Sequence, residues 1–274
     1  MSISEPLKNP LSLFDVSGKS ALITGASGAL GRAVAIALAS LGAKLTLASG
    51  AEDELNKVAD ECREAGKEAG AEVQIVTRRP NSLDDAEAMV NAAVDAYGEV
   101  ELMFIASGFN KAGFIHEQDY DEWQAVMDAN VRGNWLMAKA FGSWRIKNEL
   151  TGGKVAMVSS VRGRHGNISG YTGYCTSKGA TDMLTKVLAT EWGQYRINVN
   201  AIAPTVFRSK LTAWMFDEDN ELGQATKARS LSRLPLGRLG EPEDLVGMAL
   251  YLLSPASDFC TGQIMYVDGG FTAG

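Results

Sequence analysis

Tyr174 and Lys178 stand four residues apart in "YCTSK", at the head of a helical pattern that continues "GATDMLTKVLATEW". Residues at i and i+4 share one face of a helix. An ammonium beside a phenol favours the phenolate and lowers its pKa from about 10 toward neutrality. Such a phenol can pass a proton to or from an alcohol oxygen. A Tyr-x-x-x-Lys spacing alone is common and describes two surface side chains equally well. The preceding segment adds to it. "KVAMVSSVRGRHGN" reads as a strand finishing in Ser159-Ser160, followed by a loop to Tyr174. A hydroxyl at that strand end can donate to a carbonyl oxygen and stabilise the charge that develops there.

Groups from a strand end and from the next helix meet when both belong to one α/β sheet. The chain shows that alternation. "ALITGASGALGRAVA" (21–35) reads as strand, glycine turn and helix, the form that cradles a dinucleotide pyrophosphate. Strand patterns recur at 20–24, 44–48, 72–76, 101–106, 154–159, 197–203 and 263–267. Several are apolar almost throughout, as parallel strands covered on both faces are. Leu30, Val34, Ala37, Leu38 and Leu41 fall on one helical face, and 82–98 opens on a Ser cap and closes on Gly98. The expected fold is a doubly wound, Rossmann-like parallel α/β sheet of about seven strands. Residues 14–274 form its single domain and 1–13, with Pro6 and Pro10, an arm. Residues 205–240 interrupt the alternation after a strand's carboxyl end, where such sheets bind ligands, and are expected to form a substrate lid.

The bulk numbers limit the function classes. The 274 residues are 46% hydrophobic and 22% charged, with a formal net charge of -7, which disfavours nucleic acid or an anionic membrane as partner. Cys62, Cys175 and Cys260 are odd in number and lack a CxxC spacing, so neither a disulfide framework nor a metal site is indicated. The N-terminus lacks a secretory pattern and no apolar run approaches the roughly 20 residues of a membrane span. A cytoplasmic location is expected.

In their order along the chain these motifs resemble the classical short-chain dehydrogenase/reductase family over nearly all of 14–270. "TGASGALG" matches the family's glycine turn, Asn130 in "DANVRGNW" its catalytic asparagine, and Ser160, Tyr174 and Lys178 its serine and YxxxK. "NAIAPT" and Asp268-Gly269-Gly270 match its later segments. The resemblance implies hydride transfer between nicotinamide and a secondary alcohol or ketone. It makes Tyr174 the acid/base and Ser160 the group orienting the oxygen, with Ser159 as the alternative because the loop to Tyr174 is one residue longer than in the commonest family spacing. It gives Lys178 the ribose hydroxyls and Asn130 a relay water. The dinucleotide would lie on Gly25, Ser27, Gly28, Leu30, Gly31, Ser49, Arg79, Ser107, Gly108, Asn130, Tyr174, Lys178, Pro204, Thr205 and Phe207.

Four departures from the family pattern cluster at the cofactor. Ala29 replaces a turn glycine. Ser49-Gly50 replace the acidic residue that binds a ribose 2′-hydroxyl and repels a 2′-phosphate. Arg79 stands where an aspartate usually meets adenine, with Arg78 beside it and Arg32 as a further cation, and "IASG" (105–108) replaces an asparagine-rich turn. Together they favour NADP over NAD. Ser160, Arg162, Tyr171 and Trp214 are the expected substrate contacts. Arg162, Arg164, His165 and Lys111 are solvated or bridge subunits, or one of them receives an anionic group of the substrate. The resemblance points to polyols, sugar acids and hydroxy acids, and to a homotetramer or dimer. The rival readings are a catalytically silent dinucleotide sensor or scaffold and a 3-oxoacyl-thioester reductase.

Overall fold

The apolar runs pair side by side, all in parallel. In the computed structural model, which describes residues 4–274, they form β1 (Ser20–Thr24), β2 (Lys44–Ala48), β3 (Val73–Val76), β4 (Leu102–Ile105), β5 (Lys154–Val158), β6 (Asn198–Pro204) and β7 (Ile264–Val267). The sheet order is β3-β2-β1-β4-β5-β6-β7. The chain winds outward from β1 to β3, then returns to the other side of β1 and winds outward again. The β1/β4 boundary is therefore the switch point, and the crevice beyond its carboxyl ends is the ligand position of such sheets. Thr24 pairs with both Ala48 and Ile105, so three loops leave the sheet at one level there. β5 ends at Val158, one residue before the expected end; the Ser159 N–H still donates to Ile202 O of β6 (2.7 Å), and Ser160 lies beyond the ladder.

Helices cover both faces. One core joins the sheet to α2 (Ala29–Ser40), α3 (Glu52–Ala65) and α9 (Glu243–Leu253). The other joins it to α4 (Leu83–Tyr97), α6 (Gly133–Lys147) and α7 (Thr172–Trp192). Ser82 caps α4 by accepting from the Asp85 N–H, and Gly98 ends it in the left-handed region, as expected. The inward face of α2 is Gly31, Val34, Ala35, Leu38 and Ala39, whereas Leu41 lies beyond the helix and is exposed. The expected stripe is thus rotated, because Gly31 has to meet the glycine turn.

The segment 119–147 is not one regular helix. α5 (Tyr120–Met127) passes through a π-turn at Asp128–Arg132 into α6. π-turns inside helices recur at functional sites, and this one carries buried Asn130. Of the apolar residues in this segment, Val126 and Met137 are core, while Trp135 is 47% exposed.

The N-terminal segment forms α1 (Glu5–Lys8) and a 3-10 turn at Pro10–Phe14, which meets the 3-10 turn at Pro255–Ser257. Residues 1–3 of the expected arm lie outside the described residues. The 205–240 excursion holds a 3-10 helix (Lys210–Phe216) and α8 (Glu221–Leu231). Its base is pinned where the Gly240 N–H donates to Val206 O (3.0 Å) and the Arg208 N–H to Gly240 O (2.8 Å). Among the described residues no helix is long and apolar enough to cross a membrane, and no cluster of His, Cys, Asp and Glu is placed to hold a metal ion.

Candidate active site

The glycine turn depends on two close approaches. Gly25 has φ +65°, and a Cβ there would lie 2.6 Å from the Ala106 carbonyl carbon and the Ser107 nitrogen. A Cβ on Gly31 would lie 2.4 Å from the Gly25 carbonyl oxygen. Gly28 caps α2 and brings no capping side chain, so first-turn N–H groups remain open to an anion. Ala29 is simply the first helical residue, a position that tolerates a methyl. Leu30 follows it, half-buried. Gly31→Ala is expected to cost roughly 1–3 kcal/mol of stability in chemical denaturation. It should also weaken dinucleotide binding at least about tenfold in calorimetry, since the backbone that contacts pyrophosphate must move. Wild-type affinity in this variant would refute the packing role.

Beyond β2 the Ser27 and Ser49 hydroxyls bond each other at 2.6 Å, joining the turn to the strand end, and Ser49 Oγ accepts from the Ala51 N–H. Arg79 lies against Gly50, where a Cβ would be 2.3 Å from Arg79 Nε. Arg78 is engaged by Asp85 (2.7 Å) and Arg32 by both oxygens of Glu61 (2.6 and 2.8 Å). Arg32 and Arg78 are therefore not free cations for a 2′-phosphate, contrary to expectation. Arg79 has no carboxylate partner among the described residues.

At the end of β4, Ser107 Oγ meets Thr24 Oγ1 at 3.1 Å, a tie across the switch point made here by hydroxyls. Gly108 follows, and a Cβ on it would be 3.2 Å from Asn130 Oδ1 and 3.9 Å from Lys178 Nζ. The Asn130 amide clamps this loop. Its Oδ1 accepts from the Phe109 N–H (2.8 Å), and its Nδ2 donates to Phe109 O (2.8 Å) and Ser177 Oγ (2.9 Å). With both N–H donors engaged, Asn130 can hold a relay water only through an acceptor, its amide oxygen or its main-chain carbonyl.

Lys178 is buried and donates to Val158 O at 2.7 Å, and its Nζ is 5.6 Å from the centre of the Tyr174 ring. Burial pushes its pKa down to about 8. Burial likewise raises the Tyr174 phenol above 10.0, while the Ser160 hydroxyl facing it and the Arg162 charge pull the other way. This corrects the expectation that Lys178 lowers Tyr174 below its ordinary value. Ser160 rather than Ser159 faces the phenol: Ser159 Oγ turns away to the Asp182 carboxylate and Lys178 O. Ser160 Oγ also reaches Pro204 O at the end of β6 (3.4 Å). Thr205 and Phe207 continue from there and line a cleft of about 180 Å³ with Arg238, Gly240 and Val267.

The loop 161–171 forms the wall beside Tyr174. The Tyr171 and Tyr174 rings meet edge-on with centroids 6.2 Å apart. Arg162 is half-buried and its charge reaches both tyrosines, but Lys111 is engaged by Glu122 (3.0 Å) and Arg164 is exposed. Trp214 lies half-buried in the Lys210–Phe216 turn. Asp182, Phe271 and Arg233 also belong to this neighbourhood. The four-residue spacing of Asp182 from Lys178 was readable, whereas no sequence signal places Phe271 or Arg233.

Residues 25–272 match a family model described as enoyl-(acyl carrier protein) reductase. An uncharacterised oxidoreductase of Mycobacterium tuberculosis is 50% identical over all of this chain and 98% of its own length. A short-chain dehydrogenase/reductase from Mycobacterium marinum has a crystal structure with TM-score 0.88 and 33% identity, covering 96% of this chain and 99% of that one. The chain belongs to the short-chain dehydrogenase/reductase family. A gluconate 5-dehydrogenase from Burkholderia cenocepacia, crystallised with NADP and tartrate, superposes with TM-score 0.86 at 27% identity over 97% of this chain and all of that one. As a short-chain dehydrogenase/reductase, this protein is an NAD(P)-dependent oxidoreductase. The glycine cradle, with a Cβ excluded at Gly25 and Gly31 and an open helix N-terminus, fits a dinucleotide pyrophosphate.

Proposed function

We propose that this protein is an NADP-dependent dehydrogenase/reductase of small polyols, sugar acids or hydroxy acids. The observation that carries the reading is the meeting of Ser160, Tyr174, Lys178 and Asn130 at the carboxyl ends of the strands, beside the glycine cradle. Bound NADP(H) supplies the hydride acceptor or donor for the carbinol carbon. Tyr174 takes the hydroxyl proton in oxidation and returns it in reduction, and Ser160 holds the same oxygen. Lys178 anchors the ribose hydroxyls. Asn130 fixes the 108–109 loop and offers an acceptor to a relay water. Gly25, Ser27, Gly28, Leu30, Gly31, Ser107, Gly108, Pro204, Thr205 and Phe207 line the dinucleotide path. Arg162, Tyr171 and Trp214 border the substrate, and 205–240 serves as the lid, with Lys210 reaching Glu54 of α3 (3.1 Å).

The 2′ end supports NADP, with two hydroxyls and an arginine that lacks a carboxylate partner where a repelling carboxylate would select NAD. Ser49→Asp is expected to shift the NADP:NAD ratio of kcat/KM at least about tenfold toward NAD, because the new carboxylate both repels a phosphate and occupies Arg79. An unchanged ratio would overturn the assignment. Trp135, Met183 and Val187 expose apolar side chains on α6 and α7, which supports a homotetramer or dimer built on helix faces. The deciding experiment is a panel of polyols, hydroxy acids, ketones and 3-oxoacyl thioesters assayed with both cofactors by nicotinamide absorbance. Turnover restricted to thioesters would select the acyl-reductase reading. NADP binding without turnover of any class would make the protein a sensor.

A further inference from the structure

Two guanidinium groups converge on one aromatic ring, Phe271, next to the loop that walls Tyr174. Arg162, in the loop after β5, lies 5.3 Å from the centre of the Phe271 ring, and Arg233, just beyond α8, lies 4.1 Å from it. Phe271 is buried by Val161, Leu234 and Leu239, so the ring is a fixed platform. The arginines arrive from different elements, and each charge acts unfavourably on the other. Cation–π contact with the ring offsets part of that cost. Among the described residues neither guanidinium has a carboxylate partner. Among the described residues the Arg162 side chain donates only to Gly166 O (2.6 Å), which leaves most of its five N–H donors open. His165 stands edge-on to the same ring with its buried Nε2 also lacking a partner. The other titratable groups acting on Arg162 are Tyr171, Tyr174 and Cys175, none of them a carboxylate. Arg162 is half-buried with unused donors and Arg233 is exposed over the same ring, an arrangement that an anion brought from outside can bridge.

We infer that Arg162 and Arg233 form a subsite for the carboxylate of the substrate, so that the physiological substrate is a hydroxy or oxo acid rather than a neutral polyol. The inference rests on the proposed role of Tyr174 as the proton-transfer group, with Arg162 in the loop that walls that residue. Two planar forks can hold one carboxylate through several charge-assisted hydrogen bonds, which fixes orientation as well as affinity. Arg233 comes from the 205–240 excursion, so the acid would also draw that segment toward the reacting carbon.

The test compares matched pairs that differ only in charge: D-gluconate with D-gluconamide, and 3-hydroxybutyrate with 3-hydroxybutyramide, each with NADP⁺, alongside neutral ketones with NADPH. The expected result is a preference for an acid over its amide of at least about tenfold in kcat/KM, expressed mainly in KM. Arg233→Gln, at an exposed position where folding is not at stake, should reduce that preference toward unity, and Arg162→Gln should do the same. Equal use of acid and amide overturns the subsite, as does an equal loss on both in Arg233→Gln. Weakened NADPH binding in Arg233→Gln without loss of acid preference would assign the pair to the cofactor and likewise overturn it. Reduction of neutral ketones with no use of acids refutes the carboxylate subsite and leaves the oxidoreductase reading standing. NADPH binding with no turnover of any compound refutes both.

Discussion

Tyr174→Phe is expected to lower kcat about 10³-fold in both directions while NADPH affinity changes less than about threefold. The substitution removes one oxygen and keeps the ring that packs edge-on to Tyr171. The proton that must leave the alcohol oxygen then has no acceptor on the protein, because Ser160 has no comparable basicity and Lys178 donates to Val158 O. General acid–base catalysis contributes about 10²–10⁴-fold, which sets the expected size. The pH profile supplies a second readout. Burial holds the phenol above 10.0 in the free protein, so kcat/KM for alcohol oxidation should still be rising on the alkaline side, as the fraction of phenolate grows. Steady-state kinetics across pH, with calorimetry for NADPH, measure both effects. A variant retaining more than a tenth of wild-type kcat would remove Tyr174 from the mechanism.

Lys178→Met is expected to make the protein more stable and inactive at once. The ammonium is fully enclosed, and its pKa of about 8 lies well below the ordinary 10.5. The unfolded chain therefore binds that proton more tightly than the folded one. The penalty for burying the charge is fully present below pH 8 and fades as pH rises toward 10.5. A methionine of similar length avoids it but leaves Val158 O without its donor, which returns about 1 kcal/mol. The net expectation is a gain of roughly 2 kcal/mol near neutrality, shrinking in alkali. Activity falls at least about 10³-fold as the ribose anchor and the charge beside Tyr174 disappear. Urea denaturation at neutral and alkaline pH, paired with kcat, checks this. A variant less stable than wild type near neutrality would show that the ammonium is not carried at a cost.

The coexistence of a costly buried lysine with backbone approaches that only glycine permits is what a site shaped for function looks like. Natural folds carry such local penalties where chemistry requires them, and the surrounding sheet and helices hold them in place. Asp182 extends the same pattern. Its carboxyl is raised above the usual carboxylate range by burial and is held by the Ser159 hydroxyl one turn from Lys178.

Much of this was legible in the linear chain because the information is local. Strand and helix periodicities, the Ser82 cap and the Gly98 stop follow from backbone preferences that act over a few residues. The glycine turn and the Tyr174/Lys178 pair are likewise short-range, so their order along the sequence pointed to the parallel sheet, the dinucleotide and the reaction class. What only the tertiary structure decided are the pairings made through space. Ser160 faces the phenol because β5 ends at Val158 and sends Ser159 to Asp182. Arg32 and Arg78 are neutralised by carboxylates, Arg79 is not, and the π-turn at Asn130 forms to clamp a loop 21 residues earlier. Phe271 and Arg233 reach Arg162 from parts of the chain whose spacing carries no trace of the contact. Charge partners and hydroxyl orientations depend on which loops close on which, and loop closure is settled by the packed sheet rather than by neighbouring residues.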